Sequence, residues 1–167
     1  MSLFKITLIS LFLCFNLYSK DNRNITSTNL NEIYFLPKEA KETKNSILKH
    51  IKNAEKSIDI AMYNFSYKKF AKELVSSSKK GIKINIILDK SKVDKNDKIY
   101  KFLKNNGINI KIANKKLHTK IAIFDESIAL LGSINWTKES FKDNYEVVMF
   151  TEDKKIISKM MRFINKF

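Results

Sequence analysis

Residues 57–88, SIDIAMYNFSYKKFAKELVSSSKKGIKINIIL, hold one full unit of the chain's organisation. The run 57–65 (SIDIAMYNF) is mostly apolar, as a strand covered on both faces must be, instead of alternating like a strand with one wet face. Residues 67–80 (YKKFAKELVSSSKK) switch to the spacing of an amphipathic helix, and Gly81 marks its C-terminal stop. Residues 82–88 (IKINIIL) return to strand. The same rhythm extends in both directions. Upstream, 33–36 reads as a short strand, and Pro37 suits the first turn of a helix running to about residue 56. Ile47, Leu48 and Ile51 share one face of that helix, and the lysines at 38, 41, 44, 49, 52 and 56 give it a solvated one. Downstream, residues 96–106 read as a helix closed by Gly107, and 108–112 as a strand.

After Ala113 the pattern changes. Residues 120–124 and 128–131 are apolar runs separated by Asp125-Glu126-Ser127, which predicts a hairpin. Residues 147–150 form another strand, and from Asp153 onward Ile156, Ile157, Met160 and Phe163 repeat as on an amphipathic helix. The expected fold is α/β: a three-layer α/β/α sandwich around a mixed β-sheet, with no internal repeat.

With 167 residues the chain is sized for one domain, here 32–167. One Cys excludes an internal disulfide and any Cys-rich zinc site, so the apolar core must hold the fold unaided. Lys and Arg total 32 against 17 Asp and Glu, a formal net charge of +15. Such an excess raises the local concentration of anions and points to a polyanionic partner.

At the N-terminus, one basic residue precedes the short apolar run 6–15 (ITLISLFLCF). This is the shape of a secretory signal, and the run is shorter than the roughly 20 apolar residues that span a bilayer comfortably. Residues 1–19 are read as a signal peptide cleaved after Ser19 or, since Leu17 fits the cleavage rule poorly, as a retained membrane anchor acting through residues 3–18. Residues 20–31 then form a polar linker. The expected location is outside the cytoplasm, in the periplasm or anchored at a bacterial envelope.

The chemistry is concentrated in residues 117–145, LHTKIAIFDESIALLGSINWTKESFKDNY. Six residue types stand at fixed intervals: His118-x-Lys120-x4-Asp125-x6-Gly132-Ser133-x-Asn135. His118 and Lys120, two apart at the start of a strand, project to the same face and can address one group. The hairpin returns the chain so that Ser133 and Asn135 arrive beside the imidazole, and Gly132 permits close backbone approach. A neutral imidazole as nucleophile, with a fixed cation, an amide and a hydroxyl for the non-bridging oxygens, suits a phosphodiester. No metal or other cofactor is required by this set, and the other histidine, His50, lies on a distant helix.

The spacing resembles the HKD signature of the phospholipase D superfamily, and the chain from about residue 33 onward resembles its small, single-motif bacterial Nuc-type endonuclease branch. Residues 61–66 (AMYNFS) and Asn144-Tyr145-Glu146 add to that resemblance. The resemblance implies a homodimer in which two copies of His118, Lys120, Ser133 and Asn135 form one composite site. One His118 would become phosphorylated while its mate protonates the leaving oxygen. It also implies that Glu146 orients an active-site histidine; Asp125 belongs to the catalytic signature but reads as a support for the hairpin. Tyr63, Phe65, Trp136 and Tyr145 are candidates for stacking on bases. The expected activity is metal-independent, sequence-nonspecific cleavage of DNA or RNA. Two alternatives stay open: a phospholipase D or cardiolipin-type lipid hydrolase, and a surface nucleic-acid-binding protein for DNA uptake.

Overall fold

The computed structural model describes residues 31–93 and 97–167. The signal or anchor at 1–19, the linker up to residue 30, and the expected helix start at residue 96 lie outside the described residues. Seven strands form one sheet in the order β1-β7-β6-β5-β2-β3-β4. They are β1 (Asn31–Leu36), β2 (Ser57–Met62), β3 (Lys83–Asp89), β4 (Asn109–Ala113), β5 (Lys120–Phe124), β6 (Ile128–Gly132) and β7 (Glu146–Thr151). Strands β2, β3 and β4 run parallel, because each crossover carries a helix. The β5–β6 hairpin makes the other half antiparallel, so the direction changes at the β2–β5 seam. The sheet is mixed, as the sequence predicts.

Among the described residues five α-helices accompany it: α1 (Ala40–Asn53), α2 (Lys68–Lys79), α3 (Lys98–Asn105), α4 (Lys138–Lys142) and α5 (Lys154–Ile164). One face of the sheet packs Ile58, Ile60, Met62, Ile86, Leu88 and Phe150 against Ile47, Ile51, Phe70, Leu74 and Leu103 of the helices. The other packs Ala61, Ile87, Ile121, Ile123 and Ala129 beneath Ile157 and Ile164 of α5. Covering both faces explains why β5 (KIAIF) is buried at every position. Each fully buried Ile or Leu contributes about 1.5–3 kcal/mol relative to exposure.

The boundaries hold two corrections. Pro37 does not open α1. It lies in a turn where the Phe35 N–H donates to the Glu39 carboxylate at 2.7 Å and Glu39 N–H to the Phe35 carbonyl at 3.1 Å, so the helix begins at Ala40. The chain must reverse out of the sheet before it can coil. The linker also ends one residue early, since Asn31 already pairs with Thr151 in β1.

Candidate active site

The site lies on the sheet edge where β2 and β3 end and β5 begins. Met62 and Lys120 are cross-strand partners in the β2–β5 pair, and Tyr63 N–H extends the ladder by donating to Thr119 O at 2.9 Å. This fixes the segment carrying His118 beside the loop that follows β2. The imidazole is exposed, and its ring centre lies 4.6 Å from that of Tyr63 at an interplanar angle of 61°. Lys120 is only 6% exposed, and its ammonium donates to the His118 carbonyl at 2.9 Å. The side-chain nitrogen also stands 5.1 Å from the Tyr63 ring centre, a cation–π distance. Burial lowers the Lys120 pKa from its ordinary value, with Glu146 and Tyr63 opposing that shift.

The returning strand supplies the rest. Gly132 pairs with Val148, and a Cβ at Gly132 would lie 2.1 Å from the Val147 carbonyl oxygen. Only glycine allows that approach, and the approach aligns Ser133 with Glu146. Ser133 Oγ donates to Glu146 Oε2 and accepts from Val147 N–H at 3.1 Å. The second carboxylate oxygen of Glu146 accepts from Asn144 Nδ2 at 3.2 Å. Asn135 Oδ1 accepts from the backbone N–H of Asn64 at 3.2 Å, which leaves the two N–H donors of its amide available. His118, Lys120, Ser133, Asn135 and Glu146 are therefore held along one edge of the sheet.

Asp125 occupies the other end of β5. Its carboxylate accepts from the backbone N–H groups of Glu55, Lys56 and Ser57 at 2.7–3.1 Å. Burial alone would raise its pKa, but these donors hold the carboxyl below its ordinary value. Its φ of +53°, and that of Glu126 at +54°, close the hairpin in the left-handed region, which Asp tolerates better than most residues.

The aromatic candidates divide. Tyr145 is 95% exposed, and Tyr63 is half-buried against His118. Base stacking at Phe65 and Trp136 is corrected: they are 4% and 0% exposed and bury their rings in the core. Trp136 contacts Phe65 and Phe70 edge-on at centroid distances of 5.2 and 5.1 Å. A parallel bridge between the two residues draws both rings under the helices.

Sequence reasoning missed Asp89 and Lys92. Asp89 is 2% exposed, and its carboxylate accepts from Leu117 N–H at 2.6 Å, anchoring the backbone just before His118. Its pKa is lowered, chiefly by the Ser91 hydroxyl. Lys92 places its ammonium 5.0 Å from the Tyr63 ring centre, so two lysines, Lys92 and Lys120, contact that ring. The only sequence signal for either was their place just after the end of a parallel strand, where ligand sites collect. Among the described residues no group of three or more His, Cys, Asp or Glu side chains converges to hold a metal. No helix among them is long and apolar enough to cross a membrane.

A family model described as "Cardiolipin synthase, PLD-like domain" matches residues 47–167. The chain belongs to the phospholipase D-like family. Its fold is similar to NucT from Helicobacter pylori (TM-score 0.73, 31% identity), covering 83% of this chain and 94% of that one. It also resembles Nuc from Salmonella typhimurium, a phospholipase D family member, at TM-score 0.75 and 22% identity over 83% and 93% of the two chains. The phospholipase D of Rickettsia prowazekii is 30% identical over 112 residues, 66% of this chain and 55% of the relative. The mitochondrial cardiolipin hydrolase of Xenopus laevis is 24% identical over 113 residues, 66% and 54%. The chain spans about half the length of these curated relatives.

Proposed function

We propose that this chain is an exported phosphodiesterase that cleaves nucleic acid as a two-fold dimer, through a covalent adduct on His118. The observation that carries the reading is the convergence of an exposed imidazole, a buried ammonium and a free amide on one sheet edge of a strongly basic chain. The imidazole nitrogen attacks phosphorus, an N–P bond forms, and the bond to the leaving oxygen breaks. Charge on the non-bridging oxygens falls to Lys120 and Asn135. The leaving oxygen needs a proton from the opposite side, and a second copy of His118 supplies it. Water then attacks phosphorus, gives its proton to that second imidazole and releases the first. Glu146, held by Ser133 and Asn144, orients an imidazole.

The dimer reading draws support from an apolar strip on the outermost strand β1 and on β7, which starts at the edge carrying the site. Ile33 and Phe35 of β1 are 52% and 62% exposed, Val147 opposite Phe35 is 39% exposed, and Tyr145 extends beyond them next to Glu146. A second copy covering this strip would bring its own site alongside the first. The size match supports the nuclease branch, because the chain covers nearly the whole of NucT and Nuc but only half of the lipid-named relatives.

A lipid hydrolase is the second reading, favoured by the names of those relatives and by the same apolar strip. Incubation in EDTA with labelled oligonucleotides and with cardiolipin and phosphatidylcholine vesicles separates the two. The expected result is nucleic acid cleavage, with acid-labile label trapped on His118 and absent from His118→Ala. Lipid turnover without oligonucleotide cleavage would overturn the proposal. Intact-mass analysis of the native N-terminus tests export.

A further inference from the structure

A cavity of about 460 Å3 opens between the N-terminal ends of α2 and α3, lined by Ser66, Lys68, Lys72, Asp97, Lys98, Ile99 and Phe102. Helices that follow parallel strands start at the carboxyl edge of the sheet, so this cavity lies on the same edge as His118. The connection is short. Ser66 is three residues beyond Tyr63, no more than about 11 Å along the chain. Its N–H donates to Trp136 O at 2.9 Å, so the cavity mouth is tied to the residue following Asn135.

Its walls are mainly apolar: the Phe102 ring, Ile99 and the aliphatic stems of the lysines. Its lining also includes three lysines, Ser66 and Asp97. Asp97 uses Oδ1 to accept from the N–H groups of Ile99 and Tyr100 as the cap of α3. The other oxygen keeps acceptor capacity.

This composition suits a flat ring carried on an anionic strand. Apolar walls take the face of the ring, a hydroxyl and a carboxylate oxygen take its polar edge, and the lysines take the flanking phosphates. A volume near the lower end of the usual ligand-pocket range accommodates a nucleoside, whereas a phospholipid brings two long chains and has no use for the polar edge.

We infer that this cavity is a nucleobase subsite, receiving an unpaired base one or two nucleotides from the scissile phosphate of a single-stranded substrate. The inference deepens the nuclease reading and rests on it. It gives the protein a preference for single strands, because a paired base cannot turn into the cavity.

The test is an abasic scan. A single-stranded DNA oligonucleotide with one defined cleavage position is made with a tetrahydrofuran residue at each position in turn. Cleavage by the wild-type protein and anisotropy binding to His118→Ala are measured for each. A base seated on an aromatic wall is worth about a tenfold effect. One position within two nucleotides of the cut should therefore show a roughly tenfold rise in KM and in Kd. Phe102→Ala should flatten that dependence, and because Phe102 also packs against the core, its melting curve is recorded alongside. Lys68→Ala with Lys98→Ala, both exposed, should weaken binding without moving the sensitive position.

A flat scan with normal cleavage would overturn the subsite and leave the nuclease reading standing. Absence of both binding and cleavage for every oligonucleotide would overturn both. Loss of vesicle hydrolysis in Phe102→Ala, with oligonucleotide turnover unchanged, would assign the cavity to an acyl chain and overturn the inference.

Discussion

The Ser133 hydroxyl donates its proton to Glu146 and accepts from Val147 N–H, so in this arrangement it steadies the carboxylate instead of offering a donor to a phosphate. The two roles make different predictions. If Ser133 acts through Glu146, Ser133→Ala should lower kcat/KM about tenfold, and adding it to Glu146→Gln should cost little more. Additive losses in the double variant, measured by steady-state kinetics, would show that the hydroxyl binds substrate independently.

Gly132→Ala should damage the fold as well as the site. The new methyl would meet the Val147 carbonyl oxygen at 2.1 Å, and both partners are backbone in a paired ladder. Overpacking of this kind costs on the order of 3 kcal/mol. Circular dichroism melting should show a fall of roughly 10 °C, with activity lost even below the transition.

Lys120→Met should raise stability while removing activity. A buried ammonium whose folded-state pKa is depressed opposes folding, and methionine fills the same channel without the charge. A gain of about 1 kcal/mol is expected at pH 7. Between the lowered folded value and 10.5, the unfolded chain binds more protons, so the wild type gains stability as pH rises. The advantage of Lys120→Met should therefore shrink in alkali. A constant gap across pH 7–10.5 would contradict a depressed pKa.

Asp125→Asn should destabilise by about 2 kcal/mol at pH 7, since charged hydrogen bonds to three backbone N–H groups are weakened at once. The folded pKa lies below 3.8, so the contribution is complete above the unfolded value and fades as pH falls through the folded one. Melting curves of variant and wild type should converge in acid. Activity at 25 °C should be largely kept.

Mixing His118→Ala chains with Lys120→Ala chains should give little rescue. A composite centre with one nucleophile and one acid needs both imidazoles and both ammoniums, and the mixed pair lacks one of each. Substantial activity in the mixture would mean that one imidazole and one ammonium, drawn from different chains, suffice, and would contradict a centre that needs both copies of each.

The alternation of strands and helices was legible because burial writes itself into composition. A strand covered on both faces, such as KIAIF, has no polar residue to interrupt it apart from the lysine that enters the site. The spacing of His118, Lys120, Ser133 and Asn135 was legible for the same local reason, since a hairpin has few registers. Helix α4 was not, because five residues show no helical period; its one signal is Thr137, whose side chain accepts from Ser140 N–H at 3.2 Å. Asp89 reaches Leu117 across 28 residues, a contact made by the sheet and not by any local pattern. Phe65 and Trp136 misled because aromatic residues near a basic motif suit stacking and packing equally, and a single bridge decides between them.

Trp136 is the chain's sole tryptophan, fully enclosed and directly after Asn135, with no hydrogen-bond partner for its indole nitrogen. Nature has thereby installed one optical probe, shielded from dissolved quenchers, directly beside the Asn135 amide. Its emission colour follows unfolding from a single known place, with no label to attach and no second fluorophore of its kind to subtract.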